Sequence, residues 1–367
     1  MVPTFNEKDN LDDLVRRITD ACSGAGIEPE IIIVDDNSPD GTGNHAEDLA
    51  KTHNMKVIHR EGKMGLSSAV IEGFSASSGS ILVVMDADLS HPPESIPDMV
   101  QKIQSGEAEV VVGSRYVKGG SVENWPFHRK VMSRGATLIA RGLTKVKDPM
   151  SGFFALKKEV LDGAELNPVG YKIGLEILVK GRYSKVLEMP IHFANRKAGS
   201  SKLGGSEMLR YVDHVSMLYE HRRFWLGKYL KFAFIGGIGA VINLAVFWVA
   251  HEIFFVIPFW AIAIAFVIAD TNNYIWNRLW TFRSKSQIKF QYPQFLIVSL
   301  LGLALNELLF DVIVYDVFPG LDITTDKASV LLVIVQALCI LIVSVFNFLA
   351  NSAWTFRHDI RRSRKSQ

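Results

Sequence analysis

From about residue 225 onward the chain is dominated by apolar stretches too long for an ordinary core helix, and nothing else in it constrains the fold as much. In hydrocarbon every backbone N–H and C=O must find a partner within the protein, so such stretches become helices or a closed barrel. Four helical spans are expected: Tyr229 to Ala250, Phe259 to Trp280, Phe295 to Tyr315 and Ala328 to Leu349. Each is about long enough to cross ~30 Å of hydrocarbon. Arg222, Arg223, Lys228 and Lys231 precede the first span, and Arg278, Arg283, Lys285 and Lys289 join the second to the third. Arg357, Arg361, Arg362, Arg364 and Lys365 follow the fourth. The loop around 251–258 has no Lys or Arg, and the loop between spans three and four carries Asp316, Asp322 and Asp326 against Lys327. By the positive-inside rule, the soluble part and both termini are expected to be cytoplasmic.

The membrane half contains a repeat. Asn273-Tyr-Ile-Trp-Asn277-Arg-Leu-Trp280-Thr-Phe-Arg283 matches Asn347-Phe-Leu-Ala-Asn351-Ser-Ala-Trp354-Thr-Phe-Arg357 at six of eleven positions. Both copies end a span on the same face, which reads as two duplicated helical hairpins. Asn243, Asp270, Asn272, Asn306, Glu307 and Asp311 lie at membrane depth, where polar groups face a bundle interior or a cavity.

Before residue 225 the pattern alternates. Glu30 to Val34, Met55 to His59, Ile81 to Met85 and Val110 to Val112 read as buried strands, separated by helical spacing such as Gly65 to Ser78. Strands alternating with helices predict a doubly wound, mainly parallel α/β sheet. Two amphipathic segments, His128 to Leu143 and Met208 to Phe224, are expected to lie at the membrane interface. The net charge of +2 averages two unlike halves, and no nucleic-acid partner is expected. The two cysteines, Cys22 and Cys339, give no disulfide framework or metal-ligand spacing. The polar opening Asn6-Glu7-Lys8-Asp9 is not expected to be a secretory signal.

Chemistry concentrates at the strand ends. Asp86-Ala87-Asp88 directly follows an apolar strand, and open α/β sheets bind ligands beyond the carboxyl ends of their strands. Carboxylates two residues apart suit Mg²⁺ or Mn²⁺ bridging to a diphosphate, because these ions keep oxygen ligands. Asp35-Asp36 ends an earlier strand. A metal-binding loop, a basic amphipathic collar and a membrane anchor together suggest transfer from a diphosphate-linked donor to a lipid phosphate. Such an acceptor needs little general-base help, because its second pKa is ~6. Metal and Arg residues must instead hold two anions together.

The motifs Pro3-Thr-Phe5-Asn-Glu7, Val34-Asp35-Asp36-Asn-Ser-Pro-Asp-Gly-Thr42, Asp86-Ala-Asp88-Leu-Ser-His-Pro-Pro-Glu94 and Gly113-Ser-Arg115-Tyr116 resemble family 2 glycosyltransferases of the GT-A fold. With Trp125, Arg129 to Gly135 and Ser151-Gly-Phe-Phe-Ala-Leu-Lys157, the set resembles the dolichol-phosphate mannose synthases. The membrane half resembles the GtrA-like four-helix domain. The resemblance implies a Rossmann-like GT-A catalytic domain over 1–203, with an interfacial helix near 126–145. An interfacial helix and connector over 204–228, four transmembrane helices over 229–356 and a basic tail over 357–367 would follow. It implies that Pro3, Phe5, Glu7, Val34, Asp35 and Asp36 cradle the nucleoside of GDP-mannose. Asp86, Ala87 and Asp88 would meet ribose, diphosphate and Mg²⁺ or Mn²⁺, with Ser90 as a third metal ligand. Arg115 would lie near the sugar and the acceptor phosphate, Arg129 and Ser133 would hold that dolichyl or polyprenyl phosphate, and Arg196 and Lys202 would close over the donor. Two departures stand out: only Met1 and Val2 precede the first motif, where a strand is expected, and Ser90 replaces a Gln common in relatives. A polyprenyl-phosphate glucosyltransferase using a UDP-sugar and a lipid-linked sugar flippase partner are the alternatives. A processive polysaccharide synthase is disfavoured by the lack of a Gln-x-x-Arg-Trp motif.

Overall fold

The computed structural model describes residues 1–123, 126–167, 172–194, 205–317 and 326–360, with backbone alone for 128–130, 205–207 and 326–330. The chain divides into two compact units, Met1–Leu218 and Tyr219–Gln367.

The first unit runs β1 (Val2–Thr4), α1 (Lys8–Gly24), β2 (Ile31–Asp35), α2 (Thr42–Ala50), β3 (Met55–His59), α3 (Leu66–Ala76) and β4 (Ile81–Val84). It continues with α4 (Ile96–Gln104), β5 (Val110–Ser114), β6 (Ser121–Val122), α5 (Phe127–Arg141) and β7 (Phe154–Lys157). It closes with α6 (Ile173–Lys180), β8 (Val186–Pro190), β9 (His192–Phe193) and the start of α7 (Gly205–Trp248). Strands β1, β2 and β3 form a parallel sheet. A second sheet has the order β4-β7-β5-β8. The Met85 N–H donates to Met1 O at 3.2 Å and links the two.

The five residues of β2 are all buried because both of its faces are covered. Ile33 packs in one cluster with Leu11, Leu14, Val15 and Ile18 of α1, while Ile32 and Val34 meet Ala69 of α3. Complete burial of a side chain such as Ile33 contributes roughly 1.5–3 kcal/mol. The helical spacing of Leu11, Leu14, Val15, Ile18 and Cys22 gives α1 its apolar stripe. Cys22 is a buried free thiol there. The expectation of a mainly parallel sheet misses one strand. β7 runs antiparallel to both β4 and β5, because it enters from a loop at their carboxyl ends rather than through a crossover helix. Its leading residues, Ser151 to Phe153, therefore sit on the ligand edge. Within this unit Glu176 of α6 accepts from Lys180 Nζ and from Asn167 N, both at 2.7 Å, and faces His214 Nε2 of α7 at 3.4 Å.

The second unit holds the rest of α7, α8 (Pro258–Trp276), α9 (Ile288–Asp311) and α10 (Asp326–Ala350). Helix α7 is kinked at Arg223, with φ −149° and ψ 83°. Among the described residues three helical segments are long and apolar enough to cross a membrane: Met208–Ile253, Ile288–Val317 and Leu331–Thr355. The second expected span is not among them, since Asp270-Thr-Asn-Asn273 makes the latter half of α8 polar.

The repeat is built into the packing. Its copies end in π turns, Asn277–Thr281 and Asn351–Thr355. Asn277 Nδ2 donates to Asn273 O at 2.9 Å, and Asn351 Nδ2 to Asn347 O at the same distance. Tyr229 and Phe232 of α7 meet Phe348 at 5.4 and 5.6 Å, while Tyr292 and Phe295 of α9 meet Tyr274 at 5.1 and 5.6 Å. Phe282 and Phe356, equivalent in the two copies, stack on each other at 4.1 Å and 9°. That is the contact expected of residues astride a pseudo-two-fold axis.

Candidate active site

Strands β4, β5 and β8 point the same way, so their carboxyl ends share one edge with the start of β7. The chain turns sharply after β4: Leu89 has φ +58°, a left-handed conformation that costs a non-glycine residue of order 1 kcal/mol. The turn folds Ser90 back onto Asp88. Ser90 N and Oγ donate to Asp88 Oδ1 at 3.1 and 2.5 Å. The Ser90 hydroxyl, expected as a third metal ligand, thus sets the orientation of the Asp88 carboxylate. The Asp86 N–H donates to His91 Nδ1 at 3.1 Å, so a proton on this ring belongs on Nε2. Burial pushes the His91 pKa down and keeps the ring neutral. It stacks on Phe153 at 5.3 Å and meets the edge of Phe193 at the same distance. Gly152 passes beside the Asp86 carboxylate.

Asp86 and Asp88 offer only oxygen donors. Among the described residues no group of three or more His, Cys, Asp or Glu could hold a metal. The donor set fits a divalent hard cation that takes one or two carboxylates and completes its shell with water and substrate phosphate.

Arg115 leaves the end of β5 and is gripped by Asp148. Its Nε and Nη2 donate to the two Asp148 oxygens at 2.8 and 2.7 Å, and its backbone N–H donates to Asp148 Oδ2 at 2.9 Å. Burial pulls the Arg115 pKa down, but the Asp148 hydrogen bonds and charge more than reverse this and leave it raised. Glu188 of β8 accepts from Lys147 N and Asp148 N at 2.8 and 3.0 Å, which fixes the segment carrying Asp148. The rings of Tyr116 and Phe193 lie 5.4 Å from the guanidinium carbon. Tyr116 Oη and Ser133 Oγ are 2.9 Å apart, so α5 brings Ser133 to this edge. Arg129 is on the same helix, one turn earlier. The Arg129 side chain, Arg196 and Lys202 lie outside the described residues. The chain approaching Arg196 is pinned at Ala194, whose N–H donates to Ser90 O at 3.1 Å.

On the other sheet, Pro3 pairs with Val34, and Phe5 lies 4.1 Å from Lys63 Nζ. Glu7 Oε2 accepts from Asn10 Nδ2 at 2.7 Å. Asp35 accepts from Thr4 Oγ1 at 3.0 Å and from Ser38 Oγ and N at 2.6 and 2.9 Å. Asp36 accepts from buried Arg60 and, at 3.0 Å, from Gly65 N. Val34 and Ala87 are buried. Arg60 and Asp148 are contributors that sequence reasoning missed. Arg60 and Asp148 each carried one signal, a charge beside an apolar strand and an Asp-Pro turn.

Carboxylates just past β4 and a clamped arginine just past β5 thus share one sheet edge on either side of the start of β7, an arrangement of charges suited to gathering a cation and anionic groups. Residues 1–163 match the model of glycosyl transferase family 2, and residues 231–356 match the GtrA/DPMS transmembrane domain. Over 330 residues the chain is 42% identical to a dolichol-phosphate mannosyltransferase of Pyrococcus furiosus, covering 86% of this chain and 90% of that protein. Proteins of the same name from Mycosarcoma maydis and Saccharomyces cerevisiae are 40% and 39% identical over 60% of this chain, which is 79% and 85% of theirs. The chain is a membrane-bound glycosyltransferase and belongs to the dolichol-phosphate mannosyltransferase family.

Proposed function

We propose that this protein transfers mannose from GDP-mannose to a dolichyl or other polyprenyl phosphate at the cytoplasmic membrane face, with inversion and with a divalent metal, supplying a lipid-linked mannose for glycosylation. The observation that carries this reading is the shared edge of Asp86, Asp88 and the Asp148-clamped Arg115 in a chain of this family. An acceptor phosphate oxygen attacks the anomeric carbon, the bond to the diphosphate breaks, and its electron pair leaves with GDP. Pro3, Phe5, Glu7, Val34, Asp35 and Asp36 shape the nucleoside pocket. Asp86 and Asp88 would hold Mg²⁺ or Mn²⁺, which neutralises charge on the departing diphosphate. Arg115, Arg129 and Ser133 gather the acceptor phosphate against the sugar, and Arg196 and Lys202 cover the donor. Phe127 and Leu138 of α5 are 82% and 71% exposed, as suits an interfacial helix with its apolar face in lipid.

A panel of GDP- and UDP-sugars, with mass analysis of the lipid product, tests the reading. Mannosyl-phosphate lipid from GDP-mannose alone is expected, and turnover with a UDP-sugar in its place would overturn it. Four spans with both termini inside complete the proposal. A cysteine placed near Asp322 should react with an impermeant reagent from outside, whereas one near Ser366 should not.

A further inference from the structure

We propose that Asp148 is a positioning residue for the transfer: it acts on the acceptor only through Arg115, and Glu188 holds it in place. The inference rests on the reading above, in which Arg115 meets the substrate anions.

Asp148 is fully buried, so it is placed to act through neighbours rather than on a substrate directly. It spends both carboxylate oxygens on Arg115, taking side-chain Nε and Nη2 together with the backbone N–H. A fork of this kind removes both translation and rotation from the guanidinium plane. The Tyr116 and Phe193 rings, each 5.4 Å from its carbon, flank the same group. Two neighbouring backbone N–H groups, of Lys147 and Asp148, converge on the Glu188 carboxylate. Glu188 itself is fixed in register, since β8 pairs it with Val112 of β5, the strand that Arg115 directly follows. The path from Glu188 through Asp148 to Arg115 is therefore a closed loop within one sheet edge. Its carboxylate also balances a buried positive charge that would otherwise be costly between turnovers.

The experiment is a double-substitution cycle on the full chain in detergent, using GDP-mannose and a short polyprenyl phosphate. Asp148→Asn keeps the shape but replaces one acceptor oxygen with a donor. It should lower kcat/KM for the acceptor by about 10²-fold, the loss a ~1 Å misplacement brings. GDP affinity measured by calorimetry should stay within about two-fold, as expected for a group that does not touch the nucleotide. Arg115→Ala should lose at least as much activity, and Arg115→Ala with Asp148→Asn should be no worse than Arg115→Ala alone. Losses that multiply, or a matching loss of GDP affinity, would show a role outside Arg115 and overturn the proposal. Near-normal acceptor kinetics for Asp148→Asn, with Arg115→Ala inactive, would also overturn it while leaving the functional reading intact. Near-normal kinetics for Arg115→Ala would instead sink the functional assignment of Arg115. Should Asp148→Asn lose its thermal transition, Glu188→Gln takes its place, since it weakens the backbone anchor and spares the ion pair. Its smaller loss should likewise vanish in the Arg115→Ala background, and persistence there would count against the proposal.

Discussion

The two units differ in how far their buried polar arrangements repeat. In the first, Asp35, Asp36, Asp88 and Asp148 are buried and each has named donors, from Thr4 and Ser38 to Arg60, Ser90 and Arg115. No two of these arrangements are alike. In the second, the same arrangement occurs twice. Asn273 and Asn347 each press on a facing glycine, Gly239 or Gly302, and the buried Oδ1 of each has no hydrogen-bond partner among the described residues. Small residues that let helices approach closely are the usual packing device in lipid, where apolar burial gives no drive between helices. The contrast teaches what each unit is built for. Irregular hydrogen bonds and ion pairs, each different, orient single carboxylates in the first unit, whereas a duplicated packing motif sets helices against one another in the second.

The largest expected effect lies in the first unit. Asp88→Asn removes a formal charge and a hard oxygen ligand, so activity should fall about 10²-fold or more while folding and membrane insertion persist. Turnover near wild type in Mg²⁺ or Mn²⁺ would remove Asp88 from the metal site. Arg129→Ala should separate the two anions instead. It should raise the apparent KM for polyprenyl phosphate, lower kcat, or both, with GDP affinity by calorimetry almost unchanged.

A change in the second unit should do the reverse. A Cβ at Gly239 would lie 2.2 Å from Asn273 Oδ1, and one at Gly302 would lie 2.3 Å from Asn347 Oδ1. Gly239→Val and Gly302→Val should each destabilise the bundle by about 1–3 kcal/mol, the usual cost of overpacking. Thermal unfolding in detergent would measure this, and GDP affinity should not follow. Unequal effects at the two glycines would break the symmetry argument.

What the sequence made legible follows the same division. Met55–His59 is a strand over the expected range, because an apolar run between turn residues leaves one reading. Asp86 and Asp88 were visible because the strand before them is apolar and the loop is not. Asp148 was not visible as part of the site, since nothing local says that residue 148 meets residue 115. That contact depends on β7 reversing direction between β4 and β5. The Asn-x-x-x-Asn repeat was plain, yet its other half was hidden. Tyr229, Phe232 and Gly239 correspond to Tyr292, Phe295 and Gly302 only in their packing, and apolar sequence around them drifts freely in lipid. The polar stretch from Asp270 to Asn273 also blurs a span that length alone suggested.

The smallest expected effect tests whether the ligand edge of the first unit is separable from its opposite edge. Glu30 precedes β2, at the end of the sheet away from Asp35. It accepts from Ser78 N and Oγ at 2.9 Å and pairs with Lys56 Nζ at 2.6 Å. The Lys56 hydrogen bond, joined by those from Ser78, lowers its pKa to about 2. A carboxylate whose pKa falls on folding stabilises the protein above its unfolded value of 4.5 and loses that contribution as pH drops toward 2. After solvent screening the contribution is about 1 kcal/mol. Glu30→Gln should therefore lower the stability of the first unit at neutral pH by about that amount and flatten its acid dependence below pH 4.5. Neutral-pH turnover should be unchanged, because the partners of Glu30 among the described residues, Ser78 and Lys56, are not part of the proposed site. Urea unfolding followed across the acid range would measure the first effect, and the mannosyl-transfer assay the second. If turnover falls along with stability, the two edges are coupled, and the contrast would then lie between the units rather than between a site and its scaffold.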